Sequence, residues 1–177
     1  EEVAEAEAKA EAKAKAEAEA KAKAEAEVSS EQYSLYTEAE GEYLGGYYVA
    51  ALKIYLKLVD IWCTTCDADI RDYANYSLGF MYLKGQGTDA DYDKAKNYFI
   101  TGSNSQDIEI SSDSNALLGL IYIQENDYTN AARVLHLAVD GGVSDGFLLL
   151  GDLYFNGDGV ERSYSQALYY YQEALDD

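Results

Sequence analysis

Residues 74 to 99 read Ala-Asn-Tyr-Ser-Leu-Gly-Phe-Met-Tyr-Leu-Lys-Gly-Gln-Gly-Thr-Asp-Ala-Asp-Tyr-Asp-Lys-Ala-Lys-Asn-Tyr-Phe. Leu78 and Tyr82 are four apart and share one face of a helix, while Gly79 beside them allows a neighbouring helix to come close. Gly85-Gln86-Gly87 supplies the turn residues that end that helix. Tyr92-x-x-Ala95 then opens a second helix whose small Ala suits a close crossing. The stretch predicts a helical hairpin.

Working outward, the same spelling returns. Tyr-x-x-Ala recurs at Tyr48 with Ala51, Tyr92 with Ala95, Tyr128 with Ala131 and Tyr164 with Ala167, the Ala positions lying 44, 36 and 36 apart. Four residues beyond each Ala stands a large apolar residue, Tyr55, Phe99, Leu135 and Tyr171. Upstream of the last three anchors sits Leu-Gly-x-x-Tyr, at Leu78, Leu118 and Leu150. Self-similarity at a fixed period is the mark of a repeat array, because one hairpin cannot bury both its faces and stacking completes the core. The expected fold is all-α: an α/α superhelix, a short solenoid of about four hairpins, each second helix placing its anchor Ala at the crossing. The turns are long at Lys84 to Thr88 and Asn156 to Val160, and short at Gln124 to Asp127. Gln86 reads as a solvated turn residue.

The composition agrees. The 177 residues include no Pro, 14 Gly and 18 Tyr, which favours uninterrupted helices. Against 33 acidic residues stand 13 Lys and Arg, a net charge of −20, which disfavours nucleic acid and anionic membranes as partners. No run approaches the roughly 20 apolar residues of a spanning helix, so no direct membrane insertion is expected. Residues 1 to 28 differ from the rest: twelve Ala, nine Glu and five Lys, with Ala at every even position from Ala4 to Ala26. Alternation suggests a strand, yet these are helix formers, and Glu5 with Lys9 or Glu17 with Lys21 make favourable pairs four apart. A low-complexity helical or partly disordered segment, 1–28, is therefore expected before a repeat domain, 29–177. Its Ala residues fall on two opposite stripes, so it offers no single apolar face, although the alternation could also stack as strands and drive self-assembly.

The residues of the hairpins resemble the Sel-one-like repeats (SLR), a subfamily of the tetratricopeptide-like α/α repeats. Ala74, Leu78, Gly79, Tyr82, Gly85, Gly87, Asp91, Lys94, Ala95, Tyr98 and Phe99 follow that family's pattern, and Leu150, Gly151, Tyr154, Gly157, Gly159, Val160, Ala167, Tyr170, Tyr171 and Ala174 follow it again. The middle unit, Leu118 to Ala131, departs by its short turn, and the first hairpin, about Ser30 to Asp60, matches only in its second helix. The resemblance implies a scaffold or adaptor, without chemistry of its own, that holds a protein or peptide in a concave groove. Carried over from the tetratricopeptide pattern, the groove positions are Tyr73, Tyr76, Phe80, Leu83 and Lys84, then Asp113, Ala116, Leu120, Ile123 and Gln124, then Asp145, Leu148, Asp152, Phe155 and Asn156. Rings and carboxylates dominate, which favours a partner carrying basic and apolar residues.

Catalytic features are sparse. His136 is the sole histidine, within a second helix, and reads as packing or surface. Cys63-Thr-Thr-Cys66 has redox or half-zinc spacing but lacks further ligands and a βαβ setting, so packing thiols are expected, with a local disulfide open in an oxidising compartment. Asp89-Ala-Asp91-Tyr-Asp93 begins like a calcium loop, but Lys94 stands where Gly is needed and Ile100 where Glu is, so these acids are expected to cap a helix. Asn75-Tyr76-Ser77 is a formal glycosylation sequon inside a helix. Ser103 to Asn115 is polar and is expected to extend an inter-hairpin loop. No catalytic, cofactor or metal site is expected. The alternatives are a secreted hydrolase-like relative of the repeat family, which would bridge its hairpins with Cys pairs that this chain lacks, or a structural protein assembling through its N-terminal segment.

Overall fold

The computed structural model describes residues 2–60 and 68–176, with the side chains of residues 2–13, 25 and 176 outside that description. Cys63 and Cys66 lie outside the described residues. Among the described residues eight helices follow one another: α1 (Glu2–Leu44), α2 (Tyr48–Asp60), α3 (Ala68–Lys84), α4 (Tyr92–Gly102), α5 (Ile108–Gln124), α6 (Tyr128–Asp140), α7 (Ser144–Asn156) and α8 (Tyr164–Asp176). They pair as α1 with α2, α3 with α4, α5 with α6 and α7 with α8, and no strand occurs among the described residues. The four hairpins expected from the repeat are present.

Stacking gives the array its curvature. Each second helix packs on the next first helix, α2 on α3, α4 on α5 and α6 on α7. First helices also touch one another, α1 with α3, α3 with α5 and α5 with α7, whereas α2 and α4, or α4 and α6, do not. The first helices therefore crowd the inner face and the second helices fan out on the outer one.

The repeated words have physical tasks. All four anchor alanines, Ala51, Ala95, Ala131 and Ala167, are buried. A Cβ on Gly79 would lie 2.7 Å from the Phe99 ring, one on Gly119 2.5 Å from Leu135, and one on Gly151 2.6 Å from the Tyr171 ring. In these three hairpins the glycine is thus the seat of the residue four beyond the anchor. The motif tyrosine closes the turn: Tyr82, Tyr122 and Tyr154 offer their carbonyls to the backbone N–H of Asp91, Asp127 and Ser163, at 2.9, 2.8 and 2.9 Å. Those three residues cap the second helices with side-chain oxygens, accepting from the N–H groups of Lys94, Asn130 and Gln166. The short third turn reaches the same closure because Asn126 takes the left-handed conformation, φ 60°. The ring of Tyr82 stacks on Tyr98 at 5.7 Å and that of Tyr154 on Tyr170 at 5.5 Å.

Two turn glycines join successive hairpins. Gly87, at φ 74°, would place a Cβ 2.5 Å from the carbonyl oxygen of Tyr48, the first residue of α2. Gly159, at φ 69°, sits the same way against Tyr128 at the head of α6.

Two expectations are corrected. The stretch Ser103 to Asn115 is not a long loop: α5 starts at Ile108, capped by Asp107, and Ser112, Ser114 and Asn115 are buried in it. Their small size is the reason, since Ser114 packs at Gly102 and Ser112 at Gly141, at the ends of α4 and α6. Gln86 is not merely solvated, for its side-chain oxygen accepts the Tyr43 hydroxyl at 3.0 Å. The first hairpin forms as expected although its first helix departs from the repeat pattern, with Ala39 and Glu40 standing where the others have Leu and Gly. Tyr55, buried like Phe99, donates its hydroxyl to Glu40.

The Ala-rich segment is the N-terminal part of α1, which runs 43 residues, about 65 Å at 1.5 Å per residue, through residue 28 without interruption. Every described side chain upstream of Val28 is exposed, and burial begins in earnest at Gln32.

Candidate functional site

Crowding of the first helices leaves a channel along the inner face. Between α1, α3 and α5 a cavity of about 360 Å³ is walled by Tyr36, Tyr43, Tyr73, Tyr76 and Phe80, with the carboxylates of Glu40, Glu109 and Asp113. One helix further on, between α3, α5 and α7, a second cavity of about 460 Å³ is walled by Ala116, Leu117, Leu120, Leu148 and Leu149, with Asp145. Tyr76, Phe80 and Asp113 line both, so the two form one groove with a shared partition.

The helical period sets this lining. Tyr73, Tyr76 and Phe80 are spaced three and four apart on α3, as are Asp113, Ala116 and Leu120 on α5, so each helix turns one stripe inward. The partition is rigid: the Tyr76 ring meets the buried Phe99 ring edge-on at 6.1 Å. Tyr36 and Tyr73 face each other across α1 and α3 with centroids 6.0 Å apart and planes tilted by 45°.

Electrostatically the groove is negative. Among the described residues no Lys, Arg or His lines either cavity. Burial, then the neighbouring carboxylates of Glu109 and Asp145, push the Asp113 carboxyl above its ordinary value. Burial, aided by Asp113, pushes the Tyr76 hydroxyl up to about 12, and burial with Asp107 and Glu109 raises that of Tyr73. Each of these groups resists a further negative charge, and a bound cation would relieve all three.

Of the positions carried over from the repeat pattern, the structure brings Tyr73, Tyr76, Phe80, Asp113, Ala116, Leu120, Asp145 and Leu148 to the two cavities. The others stand elsewhere. Leu83 is buried in the core, and Ile123 packs against the second core cluster around Leu135 and Leu150. Asp152 accepts the Tyr171 hydroxyl at 2.6 Å, and Phe155 meets the Tyr164 ring at 5.4 Å. Lys84 holds its ammonium 5.6 Å above the Phe80 ring, at the edge of the groove. Gln124 and Asn156 are exposed at the helix ends. Sequence reasoning missed Tyr36, Glu40 and Tyr43 on α1; their spacing, four and three apart, was the available signal.

Features with catalytic resonance fall outside the groove. His136 packs between the Tyr154 and Tyr170 rings, each 6.1 Å away, its Nε2 3.3 Å from the Tyr154 hydroxyl. Asp91 caps α4 and pairs with Lys94 at 3.1 Å. The Asn75 amide is buried and donates to the Arg71 carbonyl at 2.8 Å. Among the described residues no group of three or more His, Cys, Asp or Glu is placed to hold a metal ion, and no helix is long and apolar enough to cross a membrane.

Comparison with known proteins agrees with this architecture. The Sel1 repeat family model matches residues 72–107 and 148–177, the second and fourth hairpins in large part. The middle unit, with its short turn, lies outside both matches although its hairpin has the same construction. Among solved structures, a Sel1 repeat protein from Oxalobacter formigenes superposes with a TM-score of 0.59 at 24% identity, over 72% of this chain and 48% of that one. A protective antigen present in uropathogenic Escherichia coli strains, displaying an SLR fold, superposes with a TM-score of 0.63 at 22% identity, over 82% of this chain and 33% of that one. The chain thus spans about half and a third of the lengths of these two proteins. Sel1 repeats generally serve as scaffolds for protein interaction and are typically non-catalytic. With its eight described helices paired into stacked hairpins, the chain is similar to the Sel1 repeat proteins in fold and, at residues 72–107 and 148–177, in sequence.

Proposed function

We propose that this protein is a non-catalytic adaptor whose groove holds a segment of another protein bearing basic and apolar residues. One observation carries the reading: two adjoining cavities on the inner face have ring and aliphatic walls, and among the described residues their charged groups are all carboxylates. Apolar side chains would be buried against the walls, and the charge complementarity would select and orient the segment. Residues 1–28 act in the same proposal as an arm outside the binding domain, since the described side chains upstream of Val28 touch no core.

Selection from a random peptide library on the full chain tests this. The expected peptides are rich in Arg or Lys with large apolar residues, and they lose most of their affinity for a chain carrying Tyr76→Ala and Phe80→Ala that retains its helical circular dichroism. A chain beginning at Ser29 should bind them as the full chain does. Peptides that bind the doubly substituted chain unaltered would move the site away from the groove.

A further inference from the structure

The two cavities have different walls, and the difference specifies a ligand. The first is aromatic with three carboxylates, Glu40, Glu109 and Asp113; the second is mainly aliphatic, with Leu120 and Leu148 half exposed at its mouth. Resting on the peptide-groove reading above, we propose that the groove reads a two-part motif in an extended segment: an arginine in the first cavity and a large aliphatic side chain three residues away in the second.

The first part follows from the walls. A guanidinium is planar, weakly hydrated and able to stack on a ring while its N–H groups fork onto a carboxylate, whereas an ammonium is a compact, strongly hydrated point charge. Tyr36 and Tyr73, 6.0 Å apart, supply ring faces, and Glu109 and Asp113 supply the carboxylates beside them. The chain already uses this chemistry: Lys96 lies 4.3 Å above Tyr122, Arg162 5.7 Å above Tyr164 and, at the edge of the groove, Lys84 5.6 Å above Phe80. Among the described residues no Lys or Arg lines the first cavity, and no Lys or Arg stands over its tyrosines.

The spacing follows from the fold. Moving from the first cavity to the second advances the site by one first helix, and packed helices stand roughly 8–10 Å apart. A polyproline-II segment advances about 3.1 Å per residue and returns to the same side every third residue, so side chains three apart are about 9 Å apart and point the same way. Neighbours one or two apart would point differently or fall short.

Fluorescence anisotropy with the full chain and labelled ten-residue Ala/Ser peptides tests the motif. Each peptide carries one Arg and one Leu, one to five residues apart, in both orders. Affinity is expected to peak at a separation of three, by about tenfold or more over a separation of one, and to fall severalfold when Lys replaces Arg. Glu109→Gln, an exposed position, should erase the preference for Arg over Lys while leaving the dependence on Leu; Leu148→Ala should do the reverse. A flat spacing series, an Arg preference that survives Glu109→Gln, or no binding of any peptide at millimolar concentration would overturn the motif. The library peptides separate this failure from that of the groove itself. If they are lost with Tyr76→Ala and Phe80→Ala while the designed series is flat, only the motif falls; if they are retained, the groove reading falls with it.

Discussion

The α-carbon of Gly79 lies against the ring of Phe99, so close that a Cβ there would stand 2.7 Å from the ring edge. Phe99 is fully buried. Gly79→Leu should therefore destabilise by overpacking, about 1–3 kcal/mol, read as a lower urea midpoint. Gly41 gives the contrasting case. It lies inside α1 with nothing within 4 Å of a built Cβ, so Gly41→Ala should stabilise by roughly 0.5–1 kcal/mol through helix propensity alone. Shifts of the same sign at the two positions would remove the packing role assigned to the motif glycine.

The hairpin-to-hairpin contact can be separated from backbone strain in the same manner. Gly142 and Gly159 both have positive φ, 81° and 69°, but a Cβ on Gly142 meets nothing, whereas one on Gly159 runs into the Tyr128 carbonyl. Gly142→Ala should cost the left-handed penalty, roughly 1–2 kcal/mol. Gly159→Ala should cost more by at least about 1 kcal/mol, because rigid backbone rather than a movable side chain blocks the new methyl. Equal losses in denaturant would mean that the turn does not bear on α6.

These positions also show what the sequence made legible. The stacking order, the anchor alanines and the glycine seats could be read because each is a residue type forced by close approach and repeated in register. The first helix of the first hairpin could not be read that way, since Glu40 occupies the glycine seat and is accommodated by a hydroxyl from Tyr55 rather than by absence of a side chain. Ser112, Ser114 and Asn115 imitate a loop by composition while serving as small helical contacts. The transferred groove positions in mid-helix, such as Tyr76 and Leu120, line the cavities, and those toward the helix ends do not. There the core takes Leu83, and bonding within the last hairpin takes Asp152 and Phe155.

Asp113 should reveal itself through pH. Its carboxyl is raised above the ordinary 3.8, first by burial and then by Glu109 and Asp145, so the folded state favours its acid form more than the unfolded chain does. That contribution is present below the ordinary value and is lost as pH rises through the raised one; at neutral pH the ionised group costs stability. Asp113→Asn should raise the urea midpoint at pH 7, with the gain vanishing on acidification past 3.8. Asp91 and Asp127 run oppositely. Hydrogen bonds, from the Lys94 backbone to Asp91 and from the Asn130 side chain to Asp127, hold them below the ordinary value, so their contribution is present at neutral pH and lost as pH falls through the lowered values. A midpoint for Asp113→Asn that is unchanged at pH 7 would refute the assignment. A residue that costs stability where it stands is one that function has reason to keep.

The groove should divide its work between anchors and charges. Tyr76 and Phe80 form the partition of both cavities, so Tyr76→Ala with Phe80→Ala should weaken a bound peptide mainly by faster dissociation, since lost anchors act on retention. Asp113→Asn with Asp145→Asn is the appropriate charge variant, because these carboxylates line the cavities while Asp152 is held by the Tyr171 hydroxyl. It should chiefly slow association and flatten its dependence on salt, for partly exposed charges steer encounter and are screened over about 8–10 Å at ordinary ionic strength. Asp152→Asn alone should leave both rates nearly unchanged. The measurement is stopped-flow binding of one library-selected peptide at low and high salt, with helical circular dichroism confirmed for every variant. If Asp152→Asn slows association as much as the Asp113 and Asp145 pair does, the encounter is governed by the net charge of the chain and not by the groove, and the orientation assigned to the bound segment has no support.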